Sequence, residues 1–433
     1  MKKLTHIICG QEVTEKPFIS RGFDENYEIG VPRLTQEIAR DAITATKNRL
    51  KKVPSLKIRK RAIESLMDYE PSEDVLEGLC RMSGHPVTLV KRLLNHSKQM
   101  LNKFLNHNSY DSNRTCYIGI PPNDPRESFF FIGQSLLAGS PVIIKPSARE
   151  PILTTELVKY LHLDALKDHP GMLNLIHADT TNNLEGKLLE ELMRRVDVPI
   201  VMGSTFVCPQ QISFNADHSR ALVLDADKAI PHLENSILFP HSCLAEHNYI
   251  VVGKENFEKL AESVIEIYNK LKSGDLMDPE TNMSLVNQEV LEDISASIRV
   301  GEMYGNVNAL YPNNNNIMNA SKISHGVVVE HFSEDKKIGV NPLMTTSLPL
   351  YITCLRFVEH INEALLDLNA ARNEINIKYG VEKSMALGLY GEINSEIYEF
   401  GRKIAFDVHI NESPYNVGLR HQNIDLNKRL TKR

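Results

Sequence analysis

A regular alternation of strand-like and helix-like stretches, beginning at Cys116, most constrains the fold that this chain can adopt. Apolar β-branched runs and stretches of helical composition follow each other at 117–120, 129–138, 142–144, 152–163, 184–195 and 199–202. Parallel strands need a long connection between them, and the helical stretches are long enough to provide it. Such strand–helix–strand crossovers are almost always right-handed. The sequence therefore predicts an α/β fold with a mostly parallel sheet.

The alternation restarts in the second half of the chain, which divides it into segments. Apolar runs at 221–224 and 249–252 are followed by a helical stretch at 258–271. Ahead of the first pattern, between residues 34 and 104, apolar residues recur at helical spacing. We predict a helical N-terminal segment with a first α/β domain at 1–218, a second α/β domain at 219–412, and a tail at 413–433 that returns to the first domain or to an oligomer interface.

Composition and charge exclude several classes of function. The 433 residues carry 49 basic and 55 acidic side chains, a net charge of −6, which gives no electrostatic footprint for nucleic acid. No apolar run is long enough for a signal segment or a membrane span. The six cysteines are scattered without a CxxC pair, which argues against a disulfide framework or a zinc site. We therefore expect a cytoplasmic protein with no metal, no membrane span and no nucleic-acid partner.

A cation stands at the tip of one predicted buried strand. The apolar run 142–144 ends in Lys145, Pro146 and Ser147. Ligands of open α/β sheets bind beyond the carboxyl ends of the strands, so a lysine at this point is well placed for a nucleotide. A strand capped by a solvated lysine is an equally good interpretation of this segment alone.

Two further strand tips carry small polar residues. Asn123 lies among prolines at 121–125, and a rigidly held amide there could donate to a developing oxyanion; a simple Asn-Asp turn is the alternative. Gly203 and Ser204 follow the apolar run 199–202, where a glycine lets a ligand approach and a hydroxyl can bind phosphate. The sequence contains no GxGxxG, so the ordinary Rossmann fingerprint is absent.

One cysteine lies in a polar stretch shortly before a predicted strand. Cys243 is flanked by His241 and His247 and precedes the run 249–252. A thiol at the mouth of a strand can ionise and react, whereas a thiol packed in an apolar core is inert. Spacing alone leaves both interpretations open.

Taken in order, these residues resemble the aldehyde dehydrogenase superfamily over roughly residues 114–418. Its Pro-Trp-Asn-Phe-Pro element is similar to 121–125, its Lys-Pro-Ser element to 145–147 and its Gly-Ser turn to 203–204. Its nucleophile corresponds to Cys243. The resemblance implies a Rossmann-type cofactor domain with a helical N-terminal segment at 1–218, and a catalytic thiol domain at 219–412.

One departure from the family pattern narrows the implied chemistry. Hydrolytic members carry a glutamate ahead of the cysteine that activates water, and the corresponding stretch here, 213–217, has none. Without that base an acyl-cysteine would persist until a thiol or a hydride attacks it. This favours the acylating branch, whose Cys-Ala-Ser-Glu is similar to 243–246. The segment 76–86 resembles the bioluminescence-type fatty acyl-CoA reductases, the LuxC family.

The resemblance implies NADPH-dependent reduction of a fatty acyl-CoA to an aldehyde, with coenzyme A as the leaving group. Cys243 would be the nucleophile and Asn123 the oxyanion donor, with no essential role for Glu246 or His247. The implied cofactor-binding residues are Lys145, Ser147, Arg149, Gly203 and Ser204. NAD-preferring relatives place a glutamate after the Lys-Pro-Ser element, whereas Ala148 and Arg149 stand here, which favours a 2′-phosphate and hence NADPH.

The implied partners are an acyl-CoA or acyl-carrier substrate and an acyl-transfer protein, and the implied assembly is a homo-oligomer. Two alternatives remain open at this point. The first is an acylating dehydrogenase for a short acyl-CoA or an acyl phosphate. The second is a non-catalytic binding or assembly subunit, which the missing glutamate would also fit.

Overall fold

The computed structural model describes most of the chain in two compact units. The described residues are 2–24, 26–106, 112, 114–122, 124–202, 212–214, 219–239, 245–285, 307–311, 327–331, 352–379 and 383–414. The units are Met1–Asn215 with Asp425–Arg433, and Ala216–Ile424. Both are α/β, as the sequence predicts, while the functional roles assigned to the segments remain predictions.

The first unit begins with short strands and four helices. These elements are β1 (Lys2–Lys3), β2 (His6–Ile8), β3 (Gln11–Val13), β4 (Pro17–Arg21), β5 (Glu28–Pro32), α1 (Gln36–Leu50), α2 (Leu56–Asp68), α3 (Glu73–Ser83) and α4 (Val87–Leu105). The helical spacing predicted between residues 34 and 104 is thereby confirmed. The strands at the N-terminus were not predicted, because runs of two to five residues are too short to show a period.

The alternating part of the first unit forms the predicted crossover units. Its elements are β6 (Cys116–Ile120), α5 (Arg126–Ala138), β7 (Val142–Pro146), α6 (Ile152–Leu163), β8 (Leu173–Leu175), α7 (Asn183–Arg195), β9 (Val198–Met202) and β10 (Ile212–Phe214). Among the described strands the main sheet has the order β10-β9-β6-β7-β8-β2-β3, parallel from β10 to β8. A smaller sheet has the order β1-β5-β4.

The order in which the chain adds strands to the main sheet reverses at one point. The chain adds β7 and β8 on one side of β6 and then returns to add β9 on the other side. Such a reversal opens a crevice at the carboxyl ends of the two strands that flank it, which is where α/β sheets bind ligands. In this unit the flanking strands are β6, which ends at Ile120, and β9, which ends at Met202.

A buried arginine fixes the turn that leads into β7. Arg59 on α2 donates from Nη1 to the carbonyl of Leu137 at 3.0 Å, near the end of α5. Gly139 then ends α5 with a φ of +68°, a left-handed conformation that favours glycine. A Cβ atom at this position would overlap the Arg59 guanidinium. The turn therefore tolerates only a residue without a side chain, and it determines where β7 starts.

A buried histidine connects the N-terminal hairpin to the segment after β8. His6 Nδ1 accepts from the backbone N–H of His177 at 3.1 Å, so Nε2 carries the proton and donates to the Arg33 carbonyl at 3.0 Å. Only the neutral imidazole can make both bonds. Burial accordingly lowers the pKa of His6 to about 4.

The second unit contains one large, mostly parallel sheet. Its elements are β11 (Ser219–Val223), α8 (Ala226–Leu238), β12 (Glu246–Val252), α9 (Lys254–Asn269), β13 (Val307–Tyr311), β14 (Val327–His331), β15 (Ile352–Val358), α10 (Ile361–Tyr379), β16 (Ser384–Tyr390), α11 (Ser395–Ile404) and β17 (Ala405–Ile410). Within the described strands the order is β13-β14-β15-β12-β11-β16-β17, and only β13 is antiparallel to its neighbour. Its core packs Leu222, Ile250 and Leu387 against Leu368 and Ile404.

One strand of this unit starts earlier than the sequence pattern indicates. The predicted run began at Tyr249, whereas β12 begins at Glu246. Polar residues at 246–248 hid the strand, because their side chains are buried in the structure and not exposed as their chemistry suggests. Of the predicted tail, residues 415–433 lie outside the described part of the chain. Among the described helices, none is both long enough and apolar enough to cross a membrane.

The turn before β7 gives a test of this packing with a matched glycine control. We expect Gly139→Ala to lower the free energy of unfolding by at least about 1–2 kcal/mol, because it combines a left-handed φ with overlap against Arg59. Gly186→Ala, in the open interior of α7, should raise it by about 0.5–1 kcal/mol. Urea unfolding of both variants measures the difference, and equal stability of Gly139→Ala and wild type would contradict this account of the turn.

Candidate functional site

The structure describes part of the predicted site. Lys145, Ser147 and Arg149 lie within the described residues. Asn123, Gly203, Ser204 and Cys243 lie outside them, so their roles remain predictions.

The strand ends that bound the predicted cofactor site lie at one edge of the first sheet. In the register of the parallel strands, Ile120 is opposite Pro146 and Gly119 is opposite Val201. The ends of β6 and β9, after which Asn123 and Gly203 follow in the sequence, are therefore at the same edge as Lys145. Topology thus brings three separated sequence segments toward the crevice where the strand order reverses.

Lys145 is a buried cation at this edge. It lies opposite Gly119 on β6, and the residue is only 9% exposed. No described residue forms a hydrogen bond or ion pair with its ammonium group. Burial lowers its pKa to about 8, partly offset by the charges of Asp179 and Glu185. A buried ammonium group is stabilised when an anion pairs with it. The phosphate groups of a nucleotide are anions of this kind.

The two acidic residues near Lys145, Asp179 and Glu185, interact with groups other than the lysine. Glu185 accepts hydrogen bonds from the backbone N–H groups of Leu34 and Asp179, at 3.0 and 2.9 Å, and from Arg33 Nη1 at 2.7 Å. Arg33 also lies 3.8 Å from Asp179. The guanidinium therefore balances both carboxylates, and they lower the cost of burying Lys145 without forming an ion pair with it.

The sequence analysis missed this acid cluster. Asn182 caps α7 and Glu185 stands three residues later, a pattern that marks a helix start. That signal could have located α7. It could not have shown that Glu185 contacts Leu34, which lies 151 residues away in the chain.

The loop that follows β7 is held in place by hydrogen bonds. Ser20 on β4 donates from Oγ to the Ala148 carbonyl at 2.5 Å, and the Ser147 hydroxyl accepts from the Arg149 N–H at 3.2 Å. Arg149 is exposed, and within the described residues its guanidinium forms no ion pair. The loop thus presents a guanidinium group without an ion-pair partner among the described residues on a backbone that hydrogen bonds hold in place.

The helix that follows this loop has its N-terminus occupied. Glu150 is buried, and its Oε1 accepts from the Leu153 N–H at 3.0 Å. Burial raises its pKa to about 7, against the lowering effect of hydrogen bonds from the backbone of Leu153 and Ile152. Because its own carboxyl group binds the free N–H groups of α6, a phosphate at this edge would be bound by side chains such as Lys145 and Arg149.

The described residues contain no group of three or more histidine, cysteine, aspartate or glutamate side chains arranged to hold a metal ion. The assignment of Lys145, Ser147 and Arg149 to cofactor binding remains a prediction.

Comparison with known proteins identifies the fold. No protein-family model and no curated protein sequence matches this chain. Solved structures do match: an oxidoreductase from Marinobacter aquaeolei is 16% identical with a TM-score of 0.77 and covers 95% of this chain and 90% of its own. Aldehyde dehydrogenase 21 from Physcomitrella patens, in complex with the reaction product succinate, is 14% identical with a TM-score of 0.76 and respective coverages of 97% and 91%.

A third structure is the NAD⁺ complex of an aldehyde dehydrogenase from Bacillus cereus, which is 16% identical with a TM-score of 0.74. It covers 95% of this chain and 89% of its own. The likeness extends over nearly the whole length of both chains in each comparison. The chain therefore has the aldehyde dehydrogenase fold, with a Rossmann-type sheet and a second α/β unit, as the resemblance implies.

The cost of burying Lys145 can be measured without any ligand. We expect Lys145→Met to raise the free energy of unfolding by about 1–3 kcal/mol at pH 7, because it removes a buried ammonium group that has no described partner. The folded-state pKa of about 8 lies below the ordinary value of 10.5, so folded wild type loses its proton first and gains stability as pH rises between them. The gap between variant and wild type should therefore shrink between pH 8 and 10.

Denaturant titrations at pH 7, 8, 9 and 10 provide this measurement. Lys187→Met, at an exposed lysine on α7, is the control and should change stability little at any of these pH values. A Lys145→Met protein less stable than wild type at pH 7 would show that the lysine is a structural residue.

Proposed function

We propose that this protein reduces an acyl thioester, in particular a fatty acyl-CoA, to an aldehyde with NADPH through an acyl-cysteine intermediate. The observation that carries the proposal is the burial of Lys145, which has no described partner for its ammonium group and lies at the carboxyl edge of the first sheet of an aldehyde dehydrogenase fold. The order of Asn123, Lys145 and Cys243 along the chain supports the same chemistry.

The protein residues would perform the acyl transfer. Cys243, as thiolate, attacks the thioester carbonyl, and the amide of Asn123 with the backbone N–H of Cys243 stabilises the oxyanion. The carbon–sulfur bond to coenzyme A then breaks, and the released thiolate takes up a proton. Bound NADPH would supply a hydride to the acyl carbon, after which the bond to Cys243 breaks and the aldehyde leaves.

The absence of a water-activating base supports reduction over hydrolysis. The stretch 213–217 reads Ser-Phe-Asn-Ala-Asp and has no glutamate where hydrolytic relatives carry one. An acyl-cysteine in such a site would survive long enough to react with a hydride or a thiol. The substrate would be an acyl-CoA or an acyl group on a carrier, delivered in the second case by an acyl-transfer protein, and the enzyme would act as a homo-oligomer.

The loop after β7 supports NADPH as the cofactor. Ala148 lacks the carboxylate that would repel a 2′-phosphate, and Arg149, whose guanidinium has no ion-pair partner among the described residues, follows it on a loop held by Ser20. Glu150 occupies the N-terminus of α6, so the phosphate contact depends on side chains. Lys145 and Ser147 would bind the ribose and its phosphate.

Acylation of Cys243 tests the proposal directly. We expect incubation with a labelled long-chain acyl-CoA, without cofactor, to give an adduct on Cys243 by peptide mass analysis, because the stretch 213–217 has no glutamate to activate water for its release. Cys243→Ala should abolish the adduct, and Cys9→Ala, at an exposed cysteine, should retain it. An adduct only with short acyl-CoA or acyl phosphate would favour the first alternative, and no adduct in wild type with any donor would favour a non-catalytic subunit.

Cofactor preference is a separate test. We expect a higher kcat/KM for NADPH than for NADH, and Arg149→Ala should reduce that ratio by about 10- to 100-fold, the effect of losing a charge-assisted hydrogen bond to the phosphate. Arg40→Ala, at an exposed arginine on α1, should leave the ratio unchanged. A wild-type enzyme that uses NADH with the higher kcat/KM would contradict the assignment of this loop.

A further inference from the structure

Arg33 lies in the short link between β5 and α1 and is held there by three contacts. Its backbone carbonyl accepts a hydrogen bond of 3.0 Å from Nε2 of the buried His6. Its guanidinium lies over the ring of Phe18 on β4, 5.4 Å from the ring centroid. Its Nη1 donates to Oε1 of Glu185 at 2.7 Å. These contacts fix the position of the guanidinium group although the residue is partly exposed.

The two carboxylates that face Arg33 are fixed as well. Oε2 of Glu185 accepts from the N–H groups of Leu34 and Asp179 at 3.0 and 2.9 Å. Oδ1 of Asp179 accepts from the N–H and the hydroxyl group of Thr181, at 3.0 and 2.6 Å. Each carboxylate thus turns its other oxygen toward Arg33, Oε1 of Glu185 at 2.7 Å and Oδ2 of Asp179 at 3.8 Å.

Lys145 responds to the charge of both carboxylates but pairs with neither. Burial lowers its pKa to about 8, and the charges of Asp179 and Glu185 act in the opposite direction. The structure shows no hydrogen bond or ion pair between the ammonium group and either acid. Burial lowers the pKa of the neighbouring His177 well below its ordinary value, so this imidazole is neutral near pH 7. The two cations, Arg33 and Lys145, therefore balance two carboxylates.

Removal of the Arg33 guanidinium would change this balance in two ways. Oε1 of Glu185 and Oδ2 of Asp179 would lose their cation, and Lys145 is a cation whose pKa already responds to both acids. A carboxylate that pairs with Lys145 takes the place that an anionic ligand would occupy. The cluster would also acquire a net negative charge, which repels an incoming phosphate. Both effects would weaken the binding of an anion.

We propose that Arg33 is a positioning residue for ligand binding at Lys145: by holding Glu185 and Asp179, it keeps the lysine ammonium unpaired and able to bind a phosphate group of the cofactor. This inference rests on the proposed function, which assigns Lys145 to cofactor binding. It gives Arg33, a residue that the sequence analysis did not select, a role in the affinity of the site.

The first experiment follows the charge of Lys145 and needs no cofactor. Competitive labelling with acetic anhydride from pH 6 to 10, followed by peptide mass analysis, gives the midpoint of deprotonation of this amine. In Arg33→Met we expect the midpoint to rise by roughly 0.5–1 pH unit, because a like charge is lost and two carboxylates are released. Arg40→Met, at an exposed arginine on α1, should leave the midpoint unchanged.

A substitution at Glu185 should shift the same midpoint in the opposite direction. Glu185→Gln keeps an acceptor for the N–H groups of Leu34 and Asp179 but removes a negative charge, so the midpoint should fall. The double variant Arg33→Met/Glu185→Gln loses one charge of each sign and should return the midpoint to near the wild-type value. Arg33→Lys, which keeps the charge, should also stay near wild type. A general loss of packing would not produce shifts of opposite sign.

The second experiment measures the binding of NADPH by its fluorescence. We expect Arg33→Met to raise the Kd about tenfold, and the double variant Arg33→Met/Glu185→Gln to restore it to within about threefold of wild type. Circular dichroism and thermal unfolding identify any variant that fails to fold. If Arg33→Met does not fold, Glu185→Gln alone still tests the direction of the shift at Lys145.

The two experiments separate the failure of this inference from the failure of the proposed function. If wild type binds neither NADPH nor NADH, the proposed cofactor is wrong, and the labelling midpoints of Lys145 alone decide the inference. Wild-type midpoints in both Arg33→Met and Glu185→Gln would overturn it. Weaker binding of NADPH by Arg33→Met that the double variant does not restore would overturn it as well.

Discussion

Burial of Lys145 at the carboxyl edge of the first sheet is the constraint on which the ligand-binding side of that unit depends. An ammonium group removed from water must be balanced, and Asp179 and Glu185 contribute the nearby negative charge. Their own charge is balanced by Arg33, which lies between the N-terminal strands and α1. Parts of the chain more than a hundred residues apart therefore cooperate to keep one cation buried.

Contacts at backbone turns and helix ends determine the position of β7, the strand that carries Lys145. Arg59 and Gly139 fix the start of β7, and Ser20 holds the loop at its end. Glu150 binds the free N–H groups of α6 and removes the helix end as a site for phosphate. In the function that we propose, anion binding at this edge of the sheet therefore depends on side chains.

The sequence pattern predicts the architecture well and the contacts poorly. The helices at 34–104 and the strands that end at Ile120, Pro146 and Met202 follow from periodicity, because each buries a continuous apolar face. The short strands at 2–32 have too few residues to show a pattern. The strand that starts at Glu246 was placed three residues late because its first side chains are polar. The burial of Glu246 depends on the Tyr390 hydroxyl, which donates to its carboxyl group at 2.8 Å, and on the space that Gly388 leaves for that group.

The sequence by itself determined the α/β class, the alternation of strands and helices, and the residue types at the strand ends, because these depend on local periodicity and on the order of residues along the chain. Tertiary structure alone decided that Lys145 is buried without a described partner, that Arg33 balances its neighbouring acids, and that Glu246 is held by Tyr390. The physical reason is that burial and pKa depend on groups brought together from distant parts of the chain, such as the 151 residues between Leu34 and Glu185, and no local pattern records such a contact.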